Sequence, residues 1–221
     1  MPDTEVMKFT QMMGFGLLET LYMTLASTAM AYALGLPLGV VLAVTRLDGI
    51  APCRWVSQTL NVIINLLRSV PFLILLIAVQ PITRAITGTT LGSSATVVPL
   101  IIASAPFIAR LVESSLNEVD KGVIEAAAAM GSSPMRIIFR VMIPESKPGL
   151  LTGAAIAVTT ILSYSAMAGI VGGGGLGAIA INYGLYRYRE DIMMVTVVLL
   201  VIVVQVLQEV GMRIAKKSDK R

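Results

Sequence analysis

The sequence predicts an all-α membrane protein with five transmembrane helices, and composition is the first observation behind this prediction. Apolar residues make up 56% of the 221 residues and charged residues only 14%, whereas soluble domains carry roughly 25% charged residues. The second observation is that several long stretches contain no charged residue. The third is that the sequence has no histidine and a single cysteine, Cys53, which excludes an intramolecular disulfide and a cysteine-based metal cluster. The lack of histidine also removes the commonest general base and the commonest zinc ligand, and we predict no catalytic site and no metal site.

The stretches without charged residues locate the five spans. A helix needs about 20 mostly apolar residues to cross the hydrocarbon core of a membrane. The stretch after Lys147 is too long for one span and contains a glycine cluster, and another stretch is interrupted only by Arg68. Spans are predicted at about 20–44, 57–80, 90–111, 150–171 and 191–212, within one transmembrane domain covering residues 1–221.

The positions of Lys and Arg predict the orientation, because cytoplasmic loops carry an excess of these residues. Five spans place the two termini on opposite sides of the membrane. With the N-terminus outside, the cytoplasmic side carries Arg46, Arg54, Arg110, Lys121, Arg136, Arg140, Lys147, Arg213, Lys216, Lys217, Lys220 and Arg221. The outer side then carries Lys8, Arg84, Arg187 and Arg189. The sequence therefore predicts an N-out, C-in topology, and this bias explains the net charge of +4 without nucleic-acid binding.

The loop between the third and fourth spans is the most polar part of the chain, and its residues predict two short helices. Asp120 can cap a helix over residues 121–130, and Gly131 suits the position just past its end. Ser133 can cap a second helix, with Pro134 at its first position. The loop is therefore predicted to be structured rather than irregular.

The first of these helices has an unusually bare surface. Ala126–Ala129 expose little more than backbone, so the helix could fit closely into a groove on another protein, with Glu125 as an anchoring charge. The alternative is a solvated connector whose alanines only favour the helical conformation.

The spacing of residues in this loop favours the first interpretation. The loop contains Glu125-Ala126-Ala127, then Gly131, then Val141-x-Ile143-Pro144. This pattern resembles the EAA signature of ABC importer permeases, with Val141 and Ile143 in place of the Ile and Leu of the signature. The resemblance implies that the loop, about 112–148, forms a coupling helix that docks onto an ATPase subunit through Glu125, Ala126, Ala127, Gly131 and Pro144. Because the sequence lacks the phosphate-binding motif G-x-x-x-x-G-K-[ST], the ATPase is expected to be a separate chain.

Three further strings resemble the permease subunits of methionine importers. They are Leu67-Arg68-Ser69-Val70-Pro71-Phe72, Ala105-Pro106-Phe107-Ile108-Ala109-Arg110 and Ser163-Tyr164-Ser165-Ala166-Met167-Ala168-Gly169. The resemblance extends over residues 18–213 or so. It implies the type I ABC importer permease fold and a multi-pass subunit of the bacterial plasma (inner) membrane that moves methionine inward. A permease of this type for another amino acid or small polar solute stays open.

The same resemblance implies the partners. They are a second copy of this chain, two ATP-binding cassette subunits, an extracytoplasmic methionine-binding protein and membrane lipid, with no nucleic acid. ATP and Mg²⁺ would bind to the ATPase, and this chain would bind no cofactor. A homodimer is also favoured because one chain supplies one coupling loop, whereas paired ATPases need two.

Four residues are candidates for the translocation pathway. Tyr164, Ser165 and Met167 lie in the fourth span, where weakly polar side chains and a thioether could line a path for an amino acid. The alternative is that they pack against a neighbouring helix. Arg68 could line the interior of the second span, or it could lie near the cytoplasmic surface at the start of the membrane-embedded part.

A glycine cluster follows the fourth span. Gly172, Gly173, Gly174 and Gly175 permit backbone angles that other residues resist. The cluster could be a hinge or a close-packed outer loop near the binding protein, or it could be a plain flexible turn.

Two other classes of function fit the sequence less well. An intramembrane protease without histidine needs a Ser–Lys or aspartyl pair, and no predicted span contains Lys or Asp in its interior. A channel or assembly scaffold has no use for a helix that docks onto an ATPase.

Overall fold

A computed structural model describes the backbone of residues 2–218 and the side chains of residues 7–218, so that Lys220 and Arg221 of the topology prediction lie outside it. The described residues form helices and connecting turns, with no strand among them. The predicted all-helical membrane fold is confirmed.

The helices follow one another with few loop residues between them. In chain order they are α1 (Pro2–Thr45), α2 (Arg54–Ser69), α3 (Phe72–Ala78), α4 (Gln80–Thr87), α5 (Ser93–Asn117), α6 (Lys121–Ala129), α7 (Pro134–Ile137), α8 (Ile143–Glu145), α9 (Lys147–Ala168), α10 (Gly175–Ile179) and α11 (Glu190–Ser218). Two π-helical turns, Ile138–Met142 and Ala180–Leu185, and one 3₁₀ turn, Gly169–Val171, complete the helical segments of the described chain.

Four helical segments are long and apolar enough to cross a membrane, and a broken pair supplies a fifth if it is taken as one span. The four are α1, α5, α11 and the segment Lys147–Leu185 that begins with α9. The broken pair is α2 with α3. It coincides with the predicted second span, and the break falls at Pro71, which has no N–H to continue the hydrogen bonding of α2.

The chain divides into two compact units. One comprises Met1–Met30, Val70–Ala103 and Val158–Gln208, and the other comprises Ala31–Ser69, Ser104–Ala157 and Glu209–Arg221. In the first unit, Met13, Leu176 and Ile192 form a buried apolar cluster.

In the second unit, Leu42, Ile64 and Ala109 form the corresponding cluster, which joins α1, α2 and α5. Gly35 and Gly39 allow α1 to approach α5 closely here. A Cβ atom on Gly39 would lie 2.5 Å from the carbonyl oxygen of Ala109. This small-xxx-small spacing is typical of tightly packed membrane helices.

Substitution of Gly39 by alanine is therefore expected to destabilise the chain by about 1–3 kcal/mol, because the new methyl group forces the two backbones apart. Gly14→Ala is the matched control in the same helix, since a Cβ atom there would meet nothing within 4 Å. It should be neutral or slightly stabilising, because alanine favours helix over glycine. Thermal unfolding of both variants in detergent measures the difference, and equal melting temperatures would contradict this account of the packing.

Candidate functional site

Helix α6 has the caps that the sequence predicts. The Asp120 carboxylate accepts a hydrogen bond from the backbone N–H of Gly122 at 2.7 Å, which satisfies a free donor of the first turn. The helix ends at Ala129, and Gly131 adopts a φ of +77°, the left-handed conformation that favours glycine. Ser133 lies at the start of α7 in an extended conformation, but its side chain makes no capping bond.

The alanine-rich face of α6 points mostly away from the chain. Ala127 is buried, with 5% of its surface exposed, whereas Glu125 and Ala126 are exposed. Glu125 has no hydrogen-bond or ion-pair partner among the described residues. Met130 leaves 80% of its surface exposed at the end of the helix. Helix α6 thus combines a carboxylate without a partner in the described chain and a backbone covered only by small side chains, and both features suit an interaction with another protein.

The segment after α7 is less regular than a single second helix. It passes through a π-helical turn into α8, where Pro144 occupies the first turn. Because Pro144 has no N–H, the ordinary i→i−4 bond to Arg140 is missing, and the wider turn accommodates this defect. Met135 and Phe139 leave 63% and 60% of their surfaces exposed along this segment.

A cleft of about 440 Å³ lies between α6 and the loop after α1. Asp48 bridges the two elements, with its carboxylate 3.2 Å from the Arg46 guanidinium and 3.3 Å from the Lys121 ammonium. The hydrogen bond from Lys121 lowers the pKa of the Asp48 carboxyl, and a hydrogen bond from the backbone of Asp48 itself and the positive charge of Arg46 lower it further. Glu125 also lines this cleft. Sequence reasoning missed Asp48, because a bridge between distant loop residues leaves no local pattern.

The pathway candidates of α9 point in different directions. The ring of Tyr164 stacks on that of Phe72, with centroids 4.4 Å apart and planes within 4° of parallel. Ser165 is buried, and its hydroxyl donates to the carbonyl of Leu162 at 2.7 Å. Met167 is half exposed. Tyr164 and Ser165 thus have packing partners within the chain, and a role of the three in a pathway stays a prediction.

Arg68 lies in the last turn of α2, just before the break at Pro71. Its side chain is exposed, and it has no hydrogen-bond or ion-pair partner in the described part of the chain. The positive charge is well placed at a helix C-terminus, where the macrodipole is negative. A role of Arg68 in lining the translocation pathway stays a prediction.

A polar network near the C-terminal end of α5 was not anticipated from the sequence. One terminal nitrogen of the Arg110 guanidinium, Nη1, donates to the Glu113 carboxylate at 2.6 Å, and the other, Nη2, donates to the side-chain oxygen of Asn65 at 2.8 Å. The side chains of Arg110 and Glu113 are only 21% and 11% exposed. Glu113 follows Arg110 by one helical turn, and that spacing is the only local signal of the ion pair.

The glycine cluster is a close-packed turn. Gly172, Gly174 and Gly175 have φ values of +83°, +84° and +72°, which side chains rarely tolerate. The backbone oxygen of Gly172 accepts a hydrogen bond from the N–H of Gly92 at 2.9 Å, and that of Gly173 accepts one from the Thr96 hydroxyl at 3.2 Å.

Helix α1 holds the other end of this turn. The Glu19 carboxylate accepts from the backbone N–H of Gly175 at 2.7 Å, and the Thr20 hydroxyl accepts from that of Leu176 at 2.9 Å. The described geometry is that of a packed turn rather than a loose one. A hinge function or a contact of this turn with a binding protein stays a prediction.

Comparisons with known proteins agree over nearly the whole chain. The family model described as "Binding-protein-dependent transport system inner membrane component" matches residues 35–221. A "Probable D-methionine transport system permease protein MetI" from Vibrio cholerae is 47% identical over 203 residues, covering 92% of this chain and 90% of that protein. The "D-methionine transport system permease protein MetI" of Escherichia coli K12 is 47% identical over 154 residues, covering 70% of this chain and 71% of that protein.

Solved structures share the fold. A chain of a structure called "Inward facing conformations of the MetNI methionine ABC transporter" superposes with a TM-score of 0.94 at 44% identity, covering 96% of this chain and 98% of that chain. A chain of an "amino acid ABC transporter with histidines" superposes with a TM-score of 0.80, covering 97% of each chain. At 18% identity this second likeness shows the fold alone.

Proposed function

Because the chain belongs to the family of binding-protein-dependent transport system inner membrane components, we propose that it is the permease subunit of an ATP-driven methionine importer. One observation carries the proposal: the likeness to the MetNI methionine transporter chain covers 96% of this chain at 44% identity. Likeness of that extent includes the spans, the loop with α6 and the glycine turn together. The methionine in the names of the curated relatives supports the choice of substrate.

The proposed assembly has two copies of this chain, two ATP-binding cassette subunits and an extracytoplasmic methionine-binding protein, in the lipid of the bacterial inner membrane. ATP and Mg²⁺ bind to the ATPase chains and not to this one. The N-terminus faces outward and the C-terminus faces the cytoplasm, because this orientation places the basic loops inside. Residues 1–221 form one transmembrane permease domain.

In this assembly α6 is the coupling helix. Glu125, Ala126 and Ala127 belong to the docking helix, and Gly131 and Pro144 shape the chain that follows it. The exposed carboxylate of Glu125 supplies a charge to a partner, while buried Ala127 seats α6 on its own chain. A short helix anchored in this way transmits movement as a packed element, which a flexible loop could not do.

The pathway and the outer turn complete the proposal. Arg68, Tyr164, Ser165 and Met167 are proposed to border the translocation pathway, with weak contacts that release methionine readily. The glycine turn, residues 172–175, is proposed to form part of the outer face that the binding protein approaches.

The test is uptake of labelled methionine by cells that lack their own methionine importers. The cells express this chain with the ATPase and the binding protein encoded beside it, and unlabelled amino acids compete with the label. We expect ATP-dependent uptake that only methionine and close analogues block. Uptake blocked by another amino acid would keep the architecture and overturn the substrate. Failure of this chain to co-purify with the ATPase would overturn the ABC assembly itself.

A further inference from the structure

The network around Arg110 connects the helix that enters the coupling loop to a helix with a free polar face. Helix α5 ends at Asn117, and α6 begins only four residues later at Lys121. Arg110 lies two turns before the end of α5, and its guanidinium reaches across to Asn65 on α2. The bond joins residues 45 positions apart, so it is a tertiary contact and not a helix-surface pair.

Glu113 determines where the guanidinium points. Its carboxylate holds one terminal nitrogen of Arg110 at 2.6 Å, which leaves the other nitrogen directed at Asn65. A charge-assisted hydrogen bond is stronger and more directional than a neutral one. The contact with Asn65 therefore has a fixed geometry, although Asn65 itself is exposed.

Apolar packing beside the network holds the helices together without fixing their rotation. Ile64 of α2 and Ala109 of α5, the neighbours of Asn65 and Arg110 in sequence, are buried in one cluster with Leu42. Apolar contacts are non-directional, so helices held by them alone can turn or slide past each other by small steps. The hydrogen bond from Arg110 is the directional contact of this interface in the described structure.

We propose that Asn65 is a positioning residue for coupled transport, which locks α2 in register on α5 through the Arg110 guanidinium. A movement of α6 travels along α5 to Arg110, and the bond passes it to α2 at Asn65. From there it reaches Arg68, three residues further along α2, where the helix is about to break. This inference rests on the proposed transport function and adds the connection between the coupling helix and the second span.

The variant that tests it is Asn65→Leu, which has a similar shape and removes the side-chain amide with the oxygen that accepts from Arg110. Arg110 keeps its ion pair with Glu113, so no buried charge is left alone. Asn61→Leu is the matched control, one turn earlier on α2, because the Asn61 amide bonds only within its own helix, to the carbonyl of Ser57 at 2.7 Å and to its hydroxyl at 3.3 Å. Asn65→Asp restores an acceptor for Arg110 and serves as the rescue.

The measurement is the number of substrate molecules transported per ATP hydrolysed, in proteoliposomes that contain the whole transporter and its binding protein. We expect Asn65→Leu to lower this ratio roughly tenfold, the factor appropriate to one lost hydrogen bond to a charged group. Basal ATP hydrolysis and co-purification with the ATPase should stay unchanged. Asn61→Leu should keep the normal ratio, and Asn65→Asp should recover most of it.

A normal ratio in Asn65→Leu, an equal loss in Asn61→Leu, or no recovery in Asn65→Asp would each overturn the inference. The unmodified transporter separates this failure from failure of the proposed function. If it carries another substrate, the ratio is measured with that substrate and the test of Asn65 stands. If it transports nothing and does not assemble with an ATPase, the proposed function and this inference fall together.

Discussion

Reversal of the charge at Glu125, in the variant Glu125→Arg, is expected to abolish ATP-driven methionine uptake while the chain still inserts and folds. Glu125 is exposed on α6 and has no hydrogen-bond or ion-pair partner among the described residues, so the substitution breaks no polar contact within the described chain. We therefore expect its effect on uptake to arise at a surface that binds another protein, and thermal unfolding checks that the new Arg beside Arg46 and Lys121 leaves the fold intact. Placing the wrong charge in an interface costs several kcal/mol, which corresponds to a loss of uptake of about a hundredfold or more. Uptake, co-purification with the ATPase and thermal unfolding measure the three consequences separately.

Glu118→Arg is the matched control for this prediction. Glu118 is also an exposed glutamate of the same loop, but it lies before α6 and its carboxylate approaches Gly149 at the start of α9. The same charge reversal there should leave uptake within about twofold, since surface substitutions away from an interface change free energies by roughly 0.5 kcal/mol or less. Normal uptake by Glu125→Arg, or an equal loss in both variants, would contradict the assignment of α6 as the docking helix.

Helix α6 could be predicted from the sequence because its signals are local. The N-cap at Asp120 and the left-handed glycine at Gly131 are both read from neighbouring residues, and both are confirmed. The spacing of the EAA signature likewise lies within one short segment. Sequence patterns are most informative where the residues that decide a structure lie within a few positions of each other.

The start of α1 is a feature that the absence of charged residues does not predict. The absence of charged residues predicted a span from about residue 20, just after Glu19, whereas the helix that contains this span, α1, begins at Pro2. Glu19 lies inside this helix, and its carboxylate accepts a hydrogen bond from the backbone N–H of Gly175. A partner 156 residues away cannot be recognised from composition.

The broken second span and the Arg110 network were missed for related reasons. Pro71 was visible, but whether a proline bends a span or ends a helix depends on what packs around it. The spacing of Arg110 and Glu113 is a local feature that was not interpreted, whereas the acceptor on Asn65 depends on how α2 packs against α5. The residues could be named from the sequence, and their tertiary partners required the fold.

Glu113→Gln should produce the largest loss of stability among charge-neutralising substitutions in the described structure. Glu113 is buried, and it is the ion-pair partner of a guanidinium that is only 21% exposed. Without the carboxylate, that positive charge stays in a poorly hydrated place with only neutral acceptors, the new side-chain amide oxygen and Asn65. Removing one partner of a buried ion pair costs about 3 kcal/mol. The melting temperature of the purified transporter in detergent should therefore fall by several degrees.

Two comparisons separate burial from charge as the cause of this loss. Glu209→Gln removes the carboxylate that pairs with Arg213, where both side chains are more than half exposed, and it should leave the melting temperature nearly unchanged, because exposed ion pairs contribute little. The double variant Arg110→Met with Glu113→Leu removes both charges and should recover most of the lost stability, since an apolar pair of similar volume can replace a buried ion pair. If the double variant were as unstable as Glu113→Gln, packing around the carboxylate rather than the unpaired guanidinium would be the cause. If Glu113→Gln melted normally, water would have to reach Arg110, and the bond to Asn65 would then be solvated as well.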